Sequence, residues 1–277
     1  MLCAFPKSYG HKTFACNKCE NCKINKKRFW TGRILLEATH APLSSSFVTL
    51  TYNPEHLPEN GSLSLRDAQN YIKRLRNGPM GAVRYFLVGE YGGDTGRAHY
   101  HLAIFNQPPE QYESYFRDKW VDADGQPMGF VQAGDITPAS AAYIAHYTTK
   151  KMNDMRQIRE DGRTPEFATM SKSPPLGAAG IRHILDLLHT KTGAAGLAKM
   201  GDVPTSFRMN GKEWPIGLYW RNYLREELGI EPKVTPPWEI DLQKLMRENQ
   251  YDQAKARKQH DKIWANRKSN TEHRRYL

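Results

Sequence analysis

Glu90-Tyr-Gly-Gly-Asp-Thr-Gly-Arg-Ala-His99-Tyr100-His101 runs on into Leu-Ala-Ile-Phe at residues 102–105. Side chains alternate between the faces of a strand. His99, His101, Ala103 and Phe105 therefore share one face, and Tyr100, Leu102 and Ile104 the other. The preceding run, residues 84–90 (R-Y-F-L-V-G-E), also reads as a strand. Between the two lie Gly92, Gly93, Asp94 and Gly96, a composition suited to a hairpin loop. Such a hairpin returns Glu90 to the side of the two histidines. Two imidazoles and a carboxylate can hold a divalent ion and leave positions open for a phosphate oxygen or water. Two half-exposed strand histidines with no ion are the plain alternative.

Bulk properties narrow the partner. The 277 residues carry a net charge of +11 and are 39% hydrophobic, enough for a core and suited to a polyanion. The charge is uneven: residues 1–33 hold eight Lys and Arg against the single acid Glu20. No run approaches the ~18 apolar residues of a membrane span, and the first residues lack an apolar signal core. A chain kept in the host cytoplasm, with its cysteines reduced, is the expectation.

The four cysteines lie early, Cys3 alone and Cys16, Cys19 and Cys22 in the run C-N-K-C-E-N-C. This spacing fits thiolate ligation better than disulfides, and four sulfurs suffice for tetrahedral zinc. Free thiols or an iron–sulfur cluster are the alternatives. Lys23, Lys26, Lys27 and Arg28 follow, with Phe29 and Trp30 among them. Basic residues interleaved with aromatics suit phosphate contact and base stacking; a solvated helix face over residues 21–38 accounts for them equally.

Beyond this segment, S-F-V-T-L-T-Y at residues 46–52 alternates as a strand. Ser64 and Asp67 form a capping signal for a helix with Leu65, Ala68, Ile72 and Leu75 inward. Asn77-Gly78-Pro79 stops it. Residues 108–120 read as a helix with Tyr112, Tyr115 and Phe116 inward, and residues 130–133 as a strand. The pattern is α+β with a largely antiparallel sheet. Thr137 and Pro138 then open a helix over residues 137–151. Tyr143 and Tyr147 are four apart, on one face, and Lys150 and Lys151 extend that face. Two phenols and an ammonium in line can serve as nucleophiles, because a neighbouring cation favours the phenolate. A half-buried packing stripe is the ordinary reading of such tyrosines. His146 between them suits a local hydrogen bond better than ligation.

The remainder reads as a polar loop at 153–175, a helix at 178–190, a hairpin at 206–214 turning on Asn210-Gly211, and a helix at 218–228. Tyr219, Trp220 and Tyr223 on that helix suit core packing, with base stacking as the alternative. A break at 232–237 leads to a charged helix over 238–268. Four segments result: a basic cysteine segment (1–40), a core (41–155), a C-terminal subdomain packed on it (156–231) and a charged helical tail (232–277).

F-V-T-L-T-Y, then G-E-Y-G…R-A-H-Y-H, then Y-I-A-H-Y-T-T-K-K occur in that order. Together they resemble the three-motif signature of HUH-superfamily rolling-circle replication initiators. The early cysteine run followed by basic residues and Trp30 is similar to the initiators of gokushovirus-type microviruses. The resemblance implies an antiparallel sheet of about five strands flanked by helices (the HUH, ferredoxin-like nuclease core) and a helical C-terminal extension. It implies that Glu90, His99 and His101 hold Mg²⁺ or Mn²⁺, that Tyr143 and Tyr147 are nucleophiles and that Lys150 assists them. Thr49 and Thr51 fall in the first motif, whose role is mainly structural. Lys23, Lys26, Lys27, Arg28, Arg97 and Lys151 are the candidates for DNA contact. The implied reaction nicks single-stranded or hairpin origin DNA, leaves a 5′-phosphotyrosine and a 3′-OH, and rejoins the ends after one circuit. A host polymerase extends the 3′ end. The chain has no G-x-x-x-x-G-K-[ST] run, so unwinding falls to a host helicase. Ala98 stands where related sequences often carry proline. Two rivals keep part of the pattern: a metal-dependent nuclease using water, and a nucleic-acid-binding protein without enzymatic activity.

Overall fold

The computed structural model describes residues 3–9, 12–78, 82–93, 95–160 and 162–231. The break and tail helix expected beyond residue 231 lie outside them. Two compact units form, Met1–Lys26 with Gly229–Leu277, and Lys27–Leu228. In the first, β1 (Lys7–Tyr9) and β2 (Lys12–Phe14) pair as a short antiparallel hairpin ahead of α1 (Glu20–Thr39), whose later residues belong to the second unit. No described helix is long and apolar enough to cross a membrane.

The second unit is built on β3 (Ser46–Thr51), α2 (Leu65–Arg76), β4 (Arg84–Tyr91), β5 (Ala98–Phe105), α3 (Pro109–Asp118), β6 (Val131–Asp135), α4 (Pro138–Glu160) and β7 (Phe167–Met170). The five strands form one antiparallel sheet in the order β6-β3-β5-β4-β7. β5, which carries the paired histidines, is the central strand. Helices cover both faces, as a sheet apolar on both sides requires. On one side Tyr100, Leu102 and Ile104 of β5 pack with Val48, Leu50 and Leu87 against α2 and α3; on the other, Phe86, Val88, Ala103 and Phe105 pack against Ile34 and Leu35 of α1 and Ala141, Ile144 and Ala145 of α4. The alternation expected for β5 is therefore the one observed.

Hydroxyl groups knit the first of these faces. Tyr52 donates to Asp67 Oδ2 at 2.8 Å, and its oxygen lies 2.8 Å from that of Tyr100. Tyr100 in turn accepts from the Ser64 N–H at 2.8 Å and stands 3.1 Å from the Ser64 carbonyl. Ser64 Oγ caps α2 through the Asp67 N–H, as the capping signal predicts. Trp120 is wholly buried among Tyr52, Tyr71 and Tyr100, and its indole N–H donates to Thr51 O at 2.9 Å. Trp120→Ala is expected to lower the unfolding free energy by about 3–5 kcal/mol. A urea titration that moved by less than ~1 kcal/mol would contradict this packing.

Four expectations need correction. Leu65 is exposed and Tyr71 takes its place in the buried stripe of α2, because the first helical residue has no turn beneath it to pack on. Phe130 is 76% exposed and precedes β6 rather than opening it. Residues 153–175 are not one loop: α4 continues to Glu160, and Phe167–Met170 pairs with β4 as an edge strand. Every residue of β7 is half-buried, so no period-two signal marks it.

The C-terminal part of the unit has α5 (Ala178–His189), α6 (Lys191–Met200), the hairpin β8 (Ser206–Met209) and β9 (Lys212–Pro215), and α7 (Leu218–Glu227). Asn210 and Gly211 both have positive φ, 51° and 70°, the conformation that the hairpin turn demands. Helix α6 was not expected; it buries no residue and so shows no apolar stripe. Trp220 is buried and donates to Leu176 O at 3.0 Å, whereas Tyr219 is exposed.

Candidate active site

Register assembles the site. Across β3 and β5, Thr49 stands opposite His101 and Thr51 opposite His99; across β4 and β5, Glu90 stands opposite His99. Side chains of opposed residues share a face, here the one covered by α1 and α4. Ala98 takes the first position of β5, opposite Tyr91, where its N–H is available to the ladder as a proline's would not be.

Glu90 is buried at the centre of the group. Its Oε1 lies 2.9 Å from His101 Nε2 and accepts from the Tyr143 hydroxyl at 3.2 Å. Its Oε2 is buried with no hydrogen-bond partner. A buried, unsatisfied carboxylate oxygen is costly, and a cation at that oxygen would remove the cost. His101 Nδ1 meets Thr49 Oγ1 at 3.0 Å, and the Phe47 ring lies nearly parallel to the imidazole at 5.6 Å. The hydroxyl accommodates either tautomer of His101. It donates to Nδ1 when Nε2–H faces Glu90, and accepts from Nδ1–H when Nε2 is a free lone pair.

His99 stands a little apart, its ring centre 5.9 Å from that of His101 and almost perpendicular to it. A Cβ on Gly92 would come within 2.9 Å of His99 Cε1, so Gly92 makes room for the ring as well as turning the loop. Burial lowers the His99 pKa from the ordinary histidine value, against the pull of Glu90. The ring is thus held neutral, the form that ligates. Among the described residues, the one group of three or more His, Cys, Asp or Glu whose donor atoms all lie within 4.8 Å of one another is Cys3, Cys16, Cys19 and Cys22. The donors of Glu90, His99 and His101 are spread more widely.

Helix α4 brings the tyrosines over this group. Ala141, Ile144 and Ala145 are completely buried against the sheet, and the small alanines let the helix approach closely. Tyr143 and Tyr147, on the flank of that face, have ring centres 5.0 Å apart. The Tyr143 hydroxyl lies 3.4 Å from His101 Nε2, and the Tyr147 ring stacks near His101 at 6.2 Å. Tyr143 is 43% exposed, open to a substrate. Both phenols are raised above the usual tyrosine pKa. Burial is the main cause for each; Glu90 adds to both, and Glu166 adds to Tyr147. In these surroundings the expected tilt towards phenolate is reversed. The side chains of Lys150 and Lys151, which were expected to supply the cation, lie outside the described residues. His146 accepts from Thr149 Oγ1 through its carbonyl.

Glu166 was passed over by sequence reasoning, which placed it within a loop; it accepts from the Tyr91 N–H at 3.1 Å, at the end of β4 next to Glu90. Of the candidate DNA contacts, Arg97 donates to Tyr52 O at 2.8 Å near the histidines, and Arg28 donates to Glu213 O at 2.7 Å. Lys23 and Lys26 are half-exposed in the first unit, and Lys27 is half-exposed in the second.

A central strand with paired histidines, a carboxylate on its neighbour and two tyrosines on a covering helix make the arrangement of a rolling-circle initiator. The family described as replication-associated protein ORF2 matches residues 45–152, the whole of this site. The chain is 31% identical to the replication-associated protein ORF2 of Spiroplasma virus 4 over 76% of its length and 72% of that protein's. It is 27% identical to the replication-associated protein VP4 of Bdellovibrio phage phiMH2K, covering 77% and 68% of the two chains. A shorter match, 29% identical over 49% of this chain and 38% of the relative, is to the replication-associated protein ORF4 of Chlamydia phage 1. No solved structure matches. The chain belongs to the family of replication-associated proteins of gokushovirus-type microviruses.

Proposed function

We propose that this replication protein nicks single-stranded or hairpin origin DNA by tyrosine attack and rejoins the ends after rolling-circle synthesis. The observation that carries the reading is the Tyr143 hydroxyl, 3.2 Å from Glu90 Oε1 beside His101, with the other oxygen of Glu90 buried and unpartnered. Glu90, His99 and His101 would hold Mg²⁺ or Mn²⁺, which polarises a phosphate oxygen when bound. A cation there also offsets the carboxylate that now helps to hold both phenols protonated.

The phenol oxygen forms a bond to phosphorus as the P–O3′ bond breaks. The phenol gives up a proton and the departing 3′ oxygen takes one up, so one phosphodiester is exchanged for another and no nucleotide is hydrolysed. The second tyrosine repeats the exchange at the regenerated junction, and the released 3′-OH closes the circle. Lys150 beside the tyrosines, and Lys23, Lys26, Lys27, Arg28, Arg97 and Lys151, supply positive charge for the DNA backbone. The 3′ end goes to the polymerase of the host, whose helicase opens the duplex in the host cytoplasm.

The test is a labelled origin oligonucleotide incubated with Mn²⁺ and run on a denaturing gel. A band shifted by covalently attached protein supports the proposal. Scission with no adduct replaces it with a water-using nuclease; binding without scission, unchanged by chelator, replaces it with a DNA-binding role. Thr49→Val leaves His101 Nδ1 without a partner in either tautomer. It is expected to raise the Mn²⁺ concentration for half-maximal cleavage about 10- to 100-fold. Thr49→Ser should restore it, and failure to do so would assign Thr49 to packing alone.

A further inference from the structure

The four cysteines make a second and chemically different site in the first unit. Cys3 enters the β1–β2 hairpin and Cys16 leaves it, so strand pairing brings the two together. Cys19 immediately precedes α1 and Cys22 lies in its first turn, three residues on and hence on the same side of the helix. All four are free of disulfides, and Cys19 and Cys22 are buried.

Their sulfurs are arranged as a tetrahedron. Cys3 Sγ lies 3.9 Å from Cys19 Sγ, and Cys16 Sγ 3.9 Å from Cys22 Sγ. These two pairs share no atom, so they are opposite edges, and all four sulfurs lie within 4.8 Å of one another. With Zn–S bonds of about 2.3 Å, a regular S₄ tetrahedron has edges of about 3.8 Å. An iron–sulfur cluster sets iron atoms between its cysteines and spreads the sulfurs to roughly 6 Å. Backbone N–H groups also point at the sulfurs: Cys16 N–H at Cys3 Sγ (3.2 Å), and the N–H groups of Lys18 and Cys19 at Cys16 Sγ (3.4 and 3.3 Å). Such donors stabilise thiolates far better than thiols.

We propose that Cys3, Cys16, Cys19 and Cys22 bind one zinc ion as a closed four-thiolate site that fixes the hairpin to the first turn of α1. Binding releases the four thiol protons and leaves a complex of net charge −2, within a segment rich in lysine. With four protein ligands no position is left for water or substrate, so the ion is structural. The DNA reaction proposed above neither requires this site nor supplies its ligands.

The experiment uses the full chain, purified under reducing conditions without added metal. Native mass spectrometry, with zinc release measured colorimetrically on unfolding, should give one zinc per chain. X-ray absorption at the zinc edge should show four sulfur neighbours at about 2.3 Å. His101→Ala should keep that zinc and Cys19→Ser/Cys22→Ser should lose it. Zinc bound through nitrogen or oxygen, zinc lost on His101→Ala, iron in place of zinc, or a metal-free chain whose four thiols react at once with a thiol reagent would each overturn the proposal. The absorption measurement needs only the unmodified chain, so it decides even if the cysteine variant does not fold.

Discussion

Tyr143→Phe/Tyr147→Phe is expected to abolish the covalent protein–DNA adduct and to slow scission by at least ~10⁴-fold, the scale of losing a nucleophile. The change removes two hydroxyls and keeps both rings, so the contacts of α4 with the sheet survive. Single variants separate the roles. Tyr143 is more open and its hydroxyl sits against Glu90 and His101. Its loss should weaken the first cut more than loss of Tyr147 does. A nearly complete adduct with either single variant would make the two rings interchangeable. Persistent scission by the double variant would hand the chemistry to water.

Glu90→Gln should lower the cleavage rate by about 10³-fold, the several kcal/mol that a bound cation contributes to a phosphoryl transition state. The same substitution should leave the melting temperature unchanged or raise it. It neutralises a buried acid with one orphaned oxygen, and the amide oxygen can still accept from His101. A residue that serves the fold loses stability and activity together; one that serves the reaction loses activity alone. A drop of Tm by more than ~5 °C would show Glu90 to be a structural group.

The site was legible because strand periodicity is strict. Once residues 84–90 and 98–105 are read as a hairpin, the faces of Glu90, His99 and His101 follow from counting. The tyrosines were legible as a spacing, but their aim was not. It depends on Ala141, Ile144 and Ala145 seating α4, information carried by the sheet they meet. Glu166 was hidden because β7 is an edge strand held by main-chain pairing, with no alternation to betray it. Gly92 was visible only as a turn former, since its closeness to His99 is a property of the folded hairpin. The direction of the phenol shifts also escaped notice: the sequence places lysines near the tyrosines, and only the fold places a carboxylate nearer.

The hydroxyl lattice behind the sheet has a consequence for the histidines in front. Sliding β5 by one residue would exchange the occupants of its two faces, turning both imidazoles into the apolar interior and Tyr100 outward. The bonds joining Tyr100 to Tyr52 and Ser64 would all break in that slip. They act as a phase lock for the central strand. The loop before it is therefore free to drift in length and composition, while the catalytic frame stays in step.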